Sequence, residues 1–359
     1  MSRVAKPLRM PAEWEPHRAT WIGWPHHEPD WPGKLAAIPW VYAEIVRVLA
    51  AGEVVEILCA SGDFEDEALR CLAAHAVALD RVRTHIVPTD RIWLRDSAPT
   101  FVFDADGRVV LLNWAFNGWA KYDNWRLDAR VGLAIERATD LPRVEPRRPD
   151  STERLVLEGG GVDVNGRGLL LVTEEWLTSD EQVRNPGLTR ADYERLFAEW
   201  LGVRRTIWLG QGCVGDDTHG HVDDVARFVS DNTVVLAIEP DPRDANHAAS
   251  MDNLRRLERA AADPAVGPLR IVRIPFPGAR YMWDERLPAS YANFYVANGA
   301  VLVPTFNDPN DRVALETLAG LFAGRKVVGI HASDLVWGQG TLHCLTQQEP
   351  AKTPSSSSP

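Results

Sequence analysis

The 359-residue chain is predicted to be an α/β protein made of about five repeats of a hairpin, a helix and a further strand, closed into a propeller around one central site. Three observations predict this. Turn signals recur between pairs of apolar runs: Asp104-Ala105-Asp106-Gly107, Asn165-Gly166, Ser230 to Asn232 and Asn298-Gly299. A polar residue precedes the hairpin in each repeat, and Asp96, Glu158, His221, Asn293 and Cys344 stand 62, 63, 72 and 51 residues apart. Helical patterns followed by short apolar strands fill the intervals. Equivalent strand ends meeting on an axis bring residues about 62 apart in sequence into one site.

In chain order, residues 10–33 are rich in Pro and Trp and are expected to form irregular structure laid over the body of the fold. Trp40, Ile45, Val48 and Leu49 fall at helical spacing and predict a helix over 35–51 with Gly52 as its C-cap. A buried strand over 54–59, an amphipathic helix over 65–78 and a strand over 82–87 follow. The repeats begin here. Hairpins are expected at 100–103 with 109–112, after the Gly159-Gly160-Gly161 bend with a second strand from Leu169, through Phe228-Val229 with 233–238, and after Asn293 with 300–303. Helices are expected over 190–201, 246–262 and 311–321, and strands over 271–274 and 327–330. A single domain is expected over 1–350, and the serine-rich tail 351–359 is expected to be disordered.

Composition narrows the function. A formal net charge of −11 with scattered Lys and Arg argues against nucleic acid or an anionic membrane as partner and favours a cationic ligand. The four cysteines (Cys59, Cys71, Cys213, Cys344) lack metal-type spacing and are too few for a disulfide framework, which fits a reducing cytoplasm. The first ten residues hold no apolar core, and no later run approaches the ~18 apolar residues of a membrane span. Most of the fourteen tryptophans are packing residues, but one or two could wall a pocket for a flat cation, an interaction of about 1–2 kcal/mol. Oligomeric state is left open, with a homo-oligomer as one option.

Cys344 follows the Gly-rich approach Gly338-Gln339-Gly340-Thr341 and precedes small polar residues, as a nucleophile accessible to substrate should. A lone free cysteine is more often a buried, inert side chain, so its company carries the argument. Asp96 follows Ile92-Trp93-Leu94, and Glu158 lies between an apolar run and three glycines. If the segment is extended, His221 and Asp223 share one face, and His343 points away from Cys344. A metal site on His219, His221 and Asp223 competes with this reading but shows no clear further ligand. Cys, His and Asp could also transfer an acyl group, a reaction that calls for an oxyanion hole and not for converging carboxylates. Acids beside a thiolate raise its pKa unless the substrate is itself cationic, a condition that guanidinium chemistry meets. Iodoacetamide is expected to reach Cys344 before the other cysteines.

Met10-Pro11-Ala12-Glu13-Trp14-Glu15-Pro16, Trp93 to Asp96, Asn113-Trp114 with Phe116-Asn117, Glu158-Gly159-Gly160, Arg184-Asn185-Pro186, Gly220-His221-Val222-Asp223 and His343 to Gln348 together resemble the agmatine deiminase family, which includes the bacterial-type peptidylarginine deiminases. The resemblance covers nearly the whole chain. It implies the pentein fold, a fivefold pseudosymmetric αβ propeller, and hydrolysis of a guanidine to a ureido group and ammonia without metal or cofactor. By the same resemblance, Cys344 is the nucleophile that forms a thiouronium intermediate. His221 is the proton donor and then base, Asp96 and Asp223 clamp the guanidinium, and Glu158 orients the histidine. Trp93, Trp31, Trp119 and Asp216 are expected around the substrate. Departures from the family pattern fall at Gln339 and Thr341, at 28–32 and at Ala98. Agmatine, converted to N-carbamoylputrescine in putrescine biosynthesis, is the leading substrate. Peptidyl-arginine or another small guanidine is the alternative, amidino transfer is a related chemistry, and a catalytically silent binding propeller is the reading from a different class.

Overall fold

Four sheets share one plan in the computed structural model, which describes residues 4–149 and 151–352. They comprise Thr100–Phe103, Val109–Leu112 and Arg143–Val144; Asp163–Val164, Leu169–Thr173 and Arg205–Leu209; Ala226–Ser230, Thr233–Ile238 and Arg270–Pro275; and Tyr295–Val296, Ala300–Thr305 and Lys326–His331. In each, the first two strands pair antiparallel across a tight turn and the third lies parallel to the second. A parallel partner needs a crossover, supplied by helices Val131–Thr139, Arg190–Leu201, Asn246–Ala261 and Pro309–Leu321. The middle strands are continuous apolar runs because they are covered on both faces. Val109–Leu112 is buried throughout, and each such side chain removed from water contributes roughly 1.5–3 kcal/mol before entropy is counted.

A fifth sheet joins the two ends of the chain. Thr346–Pro350 pairs antiparallel with His17–Gly23, which runs parallel to Val54–Cys59, and that strand runs parallel to Val82–Ile86. The C-terminal strand thus takes the place of a hairpin partner, and the opening segment is the body of the fifth repeat. This corrects the expectation that 10–33 is irregular: His17–Gly23 is an interior strand, and its partner lies too far along the sequence to leave a turn signal. The helix Val131–Thr139 was not expected either. It is short and carries Gly132 in its first turn, whose absent side chain lets Asn113 Oδ1 approach within 1.9 Å of where a Cβ would stand.

Boundaries moved by a turn at several helices. The stretch 35–51 divides into the turn Leu35–Ala37 and the helix Ile38–Leu49, with Pro39 in its first turn. Ala50, and not Gly52, caps it; Gly52 packs against Gly299. The next helix is Gly62–Ala74, ahead of the expected 65–78 at both ends. Asp308 forms a capping box with Asp311 and starts its helix at Pro309. Of the tail, Ala351 and Lys352 lie within the described residues and 353–359 lie outside them. No helix among the described residues is long and apolar enough to cross a membrane.

The first strand of each sheet is entered through a short buried segment that carries polar residues: Leu94–Ser97, Gly159–Gly161 after Glu158, Val222–Asp224 after His221, Asn293, and Leu342–Leu345. These five entrances meet.

Candidate active site

Cys344 lies in the single helical turn Leu342–Leu345 and not in an extended segment. Successive side chains on a helical turn diverge by about 100° where those of a strand diverge by 180°, so His343 is not turned away. Its Nδ1 lies 2.7 Å from Asp223 Oδ2 and its Nε2 2.8 Å from Glu13 Oε2. Arg95 fixes the turn by donating to His343 O (3.2 Å) and Gln348 Oε1 (2.8 Å). His221 and Asp223 likewise sit at and within the turn Val222–Asp224, not on a strand, yet both reach the centre.

The sulfur is set among acids. Cys344 Sγ is 3.7 Å from Asp223 Oδ2, and one donor atom each from Asp223, Asp224 and Cys344 lie within 4.8 Å of one another. Asn293 Nδ2 donates to the sulfur at 3.1 Å. Burial first, then Asp223, Asp224 and Asp96, push the thiol well above its ordinary range. Burial and the neighbouring Asp223 also push Asp224 well up. Burial opposes ionisation of Asp223 as well, but hydrogen bonding and attraction from His343 hold its pKa below the usual value. Asp223 Oδ1 is buried and has no hydrogen-bond partner among the described residues. An unpaired carboxylate oxygen in a dry site is costly unless a ligand meets it.

On the other side, His221 stands between two carboxylates, with Nδ1 3.8 Å from Asp96 Oδ1 and Nε2 3.7 Å from Glu158 Oε2. Burial alone would lower its pKa; Asp96, Glu158 and Asp216 overcome this and raise it to about 9, so the ring is an imidazolium at neutral pH. Glu158 accepts from Arg184 Nε at 3.0 Å and Trp176 Nε1 at 2.8 Å. Burial would raise its pKa, but Arg184 and His221 prevail and hold it at about 2. Burial raises Asp96 to about 6, and its oxygens accept from Gly160 N (2.9 Å) and Trp119 Nε1 (2.8 Å). Trp119 makes that bond from a left-handed backbone, φ 58°, strain of order 1–3 kcal/mol that aims its indole at the acid.

Gly160 sits at the middle of this cluster. A Cβ there would stand 2.5 Å from His221 Nδ1, 2.9 Å from Asp96 Oδ1 and 3.1 Å from Asp223 Oδ2. Only a residue without a side chain lets the three groups come this close.

A narrow cleft opens onto Cys344 and Asp96, walled by Trp93, Trp119 and Gly338 to Gly340. Trp31 is fully buried behind this wall, its ring 5.7 Å from that of Trp93, and donates to Leu335 O. Asp216 is also placed otherwise than expected: its carboxylate accepts from the Thr218, Gly220 and His221 N–H groups and the Thr218 hydroxyl. It therefore shapes the loop that presents His221. Its neighbour Asp217 lies on the cavity wall instead, accepting from Tyr122 Oη at 2.6 Å. His219 turns out to Ser179 Oγ at 3.0 Å, so the set His219, His221 and Asp223 does not converge.

Sequence reasoning gave no site role to Glu13, Asp224, His343 or Asp217. Glu13 was present in a quoted motif, and its signal was the company of Trp and Pro in a stretch that proved to be structured. Arg227 at 2.9 Å and His343 hold it well below the usual carboxylate range although burial opposes them. The other three stand beside residues that were singled out, and only the turn geometry shows where they point.

Known proteins match this chain over nearly its whole length. The family model described as Porphyromonas-type peptidyl-arginine deiminase matches residues 9–350. An agmatine deiminase of Pseudomonas aeruginosa (strain LESB58) is 33% identical over 96% of both chains, and one of Pseudomonas fluorescens (strain SBW25) is 34% identical over 96% of both. Among solved structures, the agmatine deiminase of Enterococcus faecalis superposes with a TM-score of 0.87 at 27% identity, covering 96% of each chain. A substrate-bound agmatine deiminase of C. jejuni gives 0.85 at 25% identity, covering 97% of this chain and 98% of that one. The five-repeat α/β architecture is the pentein fold of these neighbours, and the chain belongs to the Porphyromonas-type peptidyl-arginine deiminase family.

Proposed function

We propose that this chain is a guanidine deiminase that hydrolyses agmatine to N-carbamoylputrescine and ammonia through a covalent intermediate on Cys344, acting in the cytoplasm without a cofactor. One observation carries the reading: a buried sulfur faces a carboxylate with an unpaired oxygen, Asp223, across from an imidazolium held by two further acids. Such a site repels electrons from its own thiolate until a cation enters. A guanidinium supplies that charge, and Asp223 and Asp96 hold its nitrogens.

The steps follow from the protonation states. As the guanidinium enters, the Cys344 proton is lost to water and the thiolate pair forms a bond to the guanidinium carbon, the C=N π pair moving to nitrogen. His221, charged at the start, protonates one nitrogen, and the C–N bond breaks to release ammonia and leave a thiouronium. The neutral His221 then takes a proton from water as its oxygen adds to the carbon. Collapse forms the ureido C=O and returns the thiolate, and the remaining hydroxyl proton passes to solvent, where it balances the protonation of the ammonia released in the first half. Glu158, tied to Arg184 and Trp176, keeps His221 oriented through both halves.

The narrow cavity favours a small substrate, and Asp217 on its wall suits the ammonium of agmatine. Arg91 also lies on that wall, 2.7 Å from Asp30 Oδ1, and with Lys121, 4.0 Å from Asp217 Oδ2, favours a guanidine bearing a carboxylate, such as free arginine. Turnover of agmatine, arginine and a peptide with internal arginine decides between them. The expected result is kcat/KM for agmatine at least tenfold above that for arginine, about 1.4 kcal/mol in transition-state binding, unchanged by chelator. Equal rates on arginine or faster turnover of the peptide would replace agmatine as the substrate. Loss of activity on chelation restored by zinc would replace the thiol mechanism.

A further inference from the structure

Asn293 enters the site from the segment that leads into the fourth sheet, and its side chain is fully buried. Its amide orientation is fixed by its neighbours. Oδ1 faces three donors, Thr341 Oγ1 at 2.7 Å, His343 N at 3.0 Å and Cys344 N at 3.4 Å. With the oxygen so committed, the other end of the amide is the NH2 group, and it lies 3.1 Å from Cys344 Sγ. Among the described residues, the acids Asp223, Asp224 and Asp96 act on the same sulfur, together with a backbone bond from Thr341.

We propose that Asn293 is a catalytic residue of the deimination, its Nδ2–H donating to the Cys344 sulfur and easing formation of the thiolate against three surrounding carboxyl groups. A donor favours the charged form of the atom it faces, while acids on the remaining sides favour the neutral thiol. The cation of the substrate offsets the acids only while it is bound. The amide donor is present before, during and after attack, so it keeps the sulfur competent when the first product leaves and when the ureido product is expelled. Oδ1 serves the same end by holding the turn that carries Cys344, so one side chain sets both the position and the charge of the nucleophile.

The reaction this serves rests on the deiminase reading, but the contact with sulfur can be measured without a guanidine. Asn293→Asp keeps an oxygen toward Thr341, His343 and Cys344 and replaces the donor; Asn293→Ala removes the donor without adding charge. The rate constant for alkylation of Cys344 by iodoacetamide, followed by peptide mass spectrometry from pH 7 to 9.5, reads thiolate content. The acid limb of kcat for agmatine reads it in the complex. Both variants are expected to alkylate at least tenfold more slowly at each pH. Their acid limb should move to higher pH, with kcat down about 100-fold and KM changed less than about fivefold. A purely structural clamp predicts instead that Asn293→Ala lowers kcat while its alkylation rate and acid limb stay as in the wild type, and that result overturns the proposal. If Asn293→Asp fails to show a cooperative thermal transition, the alkylation profile of Asn293→Ala decides alone, and an unchanged profile overturns it. Should the wild type turn over no guanidine while alkylation still slows in both variants, the deiminase reading fails and the Asn293–sulfur contact stands.

Discussion

Substituting Gly160 by alanine tests the site without touching any titratable group. Gly160 has no left-handed backbone to strain, so the effect is steric. The new methyl would lie 2.5 Å from His221 Nδ1, about 1 Å inside the ~3.5 Å at which heavy atoms rest against each other. Asp96 Oδ1 at 2.9 Å and Asp223 Oδ2 at 3.1 Å block the alternative of shifting the methyl toward the acids. His221 is walled by Trp176 at a ring separation of 5.6 Å, so retreat disturbs Glu158 as well. Overpacking of this kind costs roughly 1–3 kcal/mol of stability, and a misplacement of about 1 Å costs on the order of 100-fold in rate. The expected result is a fall of about 100-fold in kcat for agmatine, some 2.7 kcal/mol in barrier, with a thermal midpoint lower by a few degrees. Gly320→Ala is the control: nothing lies within 4 Å of its Cβ position in the helix Pro309–Leu321, and it should gain about 0.5–1 kcal/mol with unchanged turnover. A kcat for Gly160→Ala within about threefold of wild type would refute the claim that close packing of His221 against this glycine sets the chemistry.

The remaining predictions use other parts of the site. The pKa of His221 is raised from 6.5 to about 9 in the folded protein, so its ionisation stabilises the fold fully below pH 6.5 and that contribution is lost as pH rises through about 9. The thermal midpoint should therefore fall over that window and fall less in His221→Gln; equal slopes would sink the assignment of charge to His221. Cys71 is half-buried, whereas Cys344 is 8% exposed with its thiol pushed well up, so iodoacetamide at pH 8 should label Cys71 first, the reverse of what the sequence alone suggests. Faster labelling of Cys344 would show that it is more ionised than its acids allow. Gln339 holds φ 70° on the cavity wall, and its buried Oε1 has no hydrogen-bond partner among the described residues. Gln339→Gly should relieve about 1 kcal/mol of strain and raise the thermal midpoint while lowering kcat/KM for agmatine, and unchanged kinetics would remove Gln339 from substrate recognition.

How much of this was legible in the chain depends on the range of the interaction that decides it. Asp96, Glu158, His221 and Cys344 could be picked out because each stands just ahead of an apolar run and a turn, and hairpins are local structures whose signals lie within about ten residues. The regular spacing of those signals carried the repeat, and with it the convergence of residues far apart in sequence. The pairing that joins the two ends of the chain was not legible, because His17–Gly23 meets Thr346–Pro350 across the length of the chain and no turn joins them. Side-chain direction was hidden for a different reason. The site segments are single turns of helix, so the alternation of a strand misplaced His343, which lies against Asp223. Asp216 and Asp217 are adjacent and chemically alike, yet one binds the loop backbone and the other faces the cavity. That choice is made by left-handed residues in the same loop, Gly215 at φ 93°, His219 at 64° and Gly220 at 98°. The order of residue types along the chain determined which groups could take part in chemistry. Only the packed tertiary structure, which fixes the dihedral angles of loops that are unstable alone, decided which of them touch the sulfur, which carry charge and which merely hold the others in place.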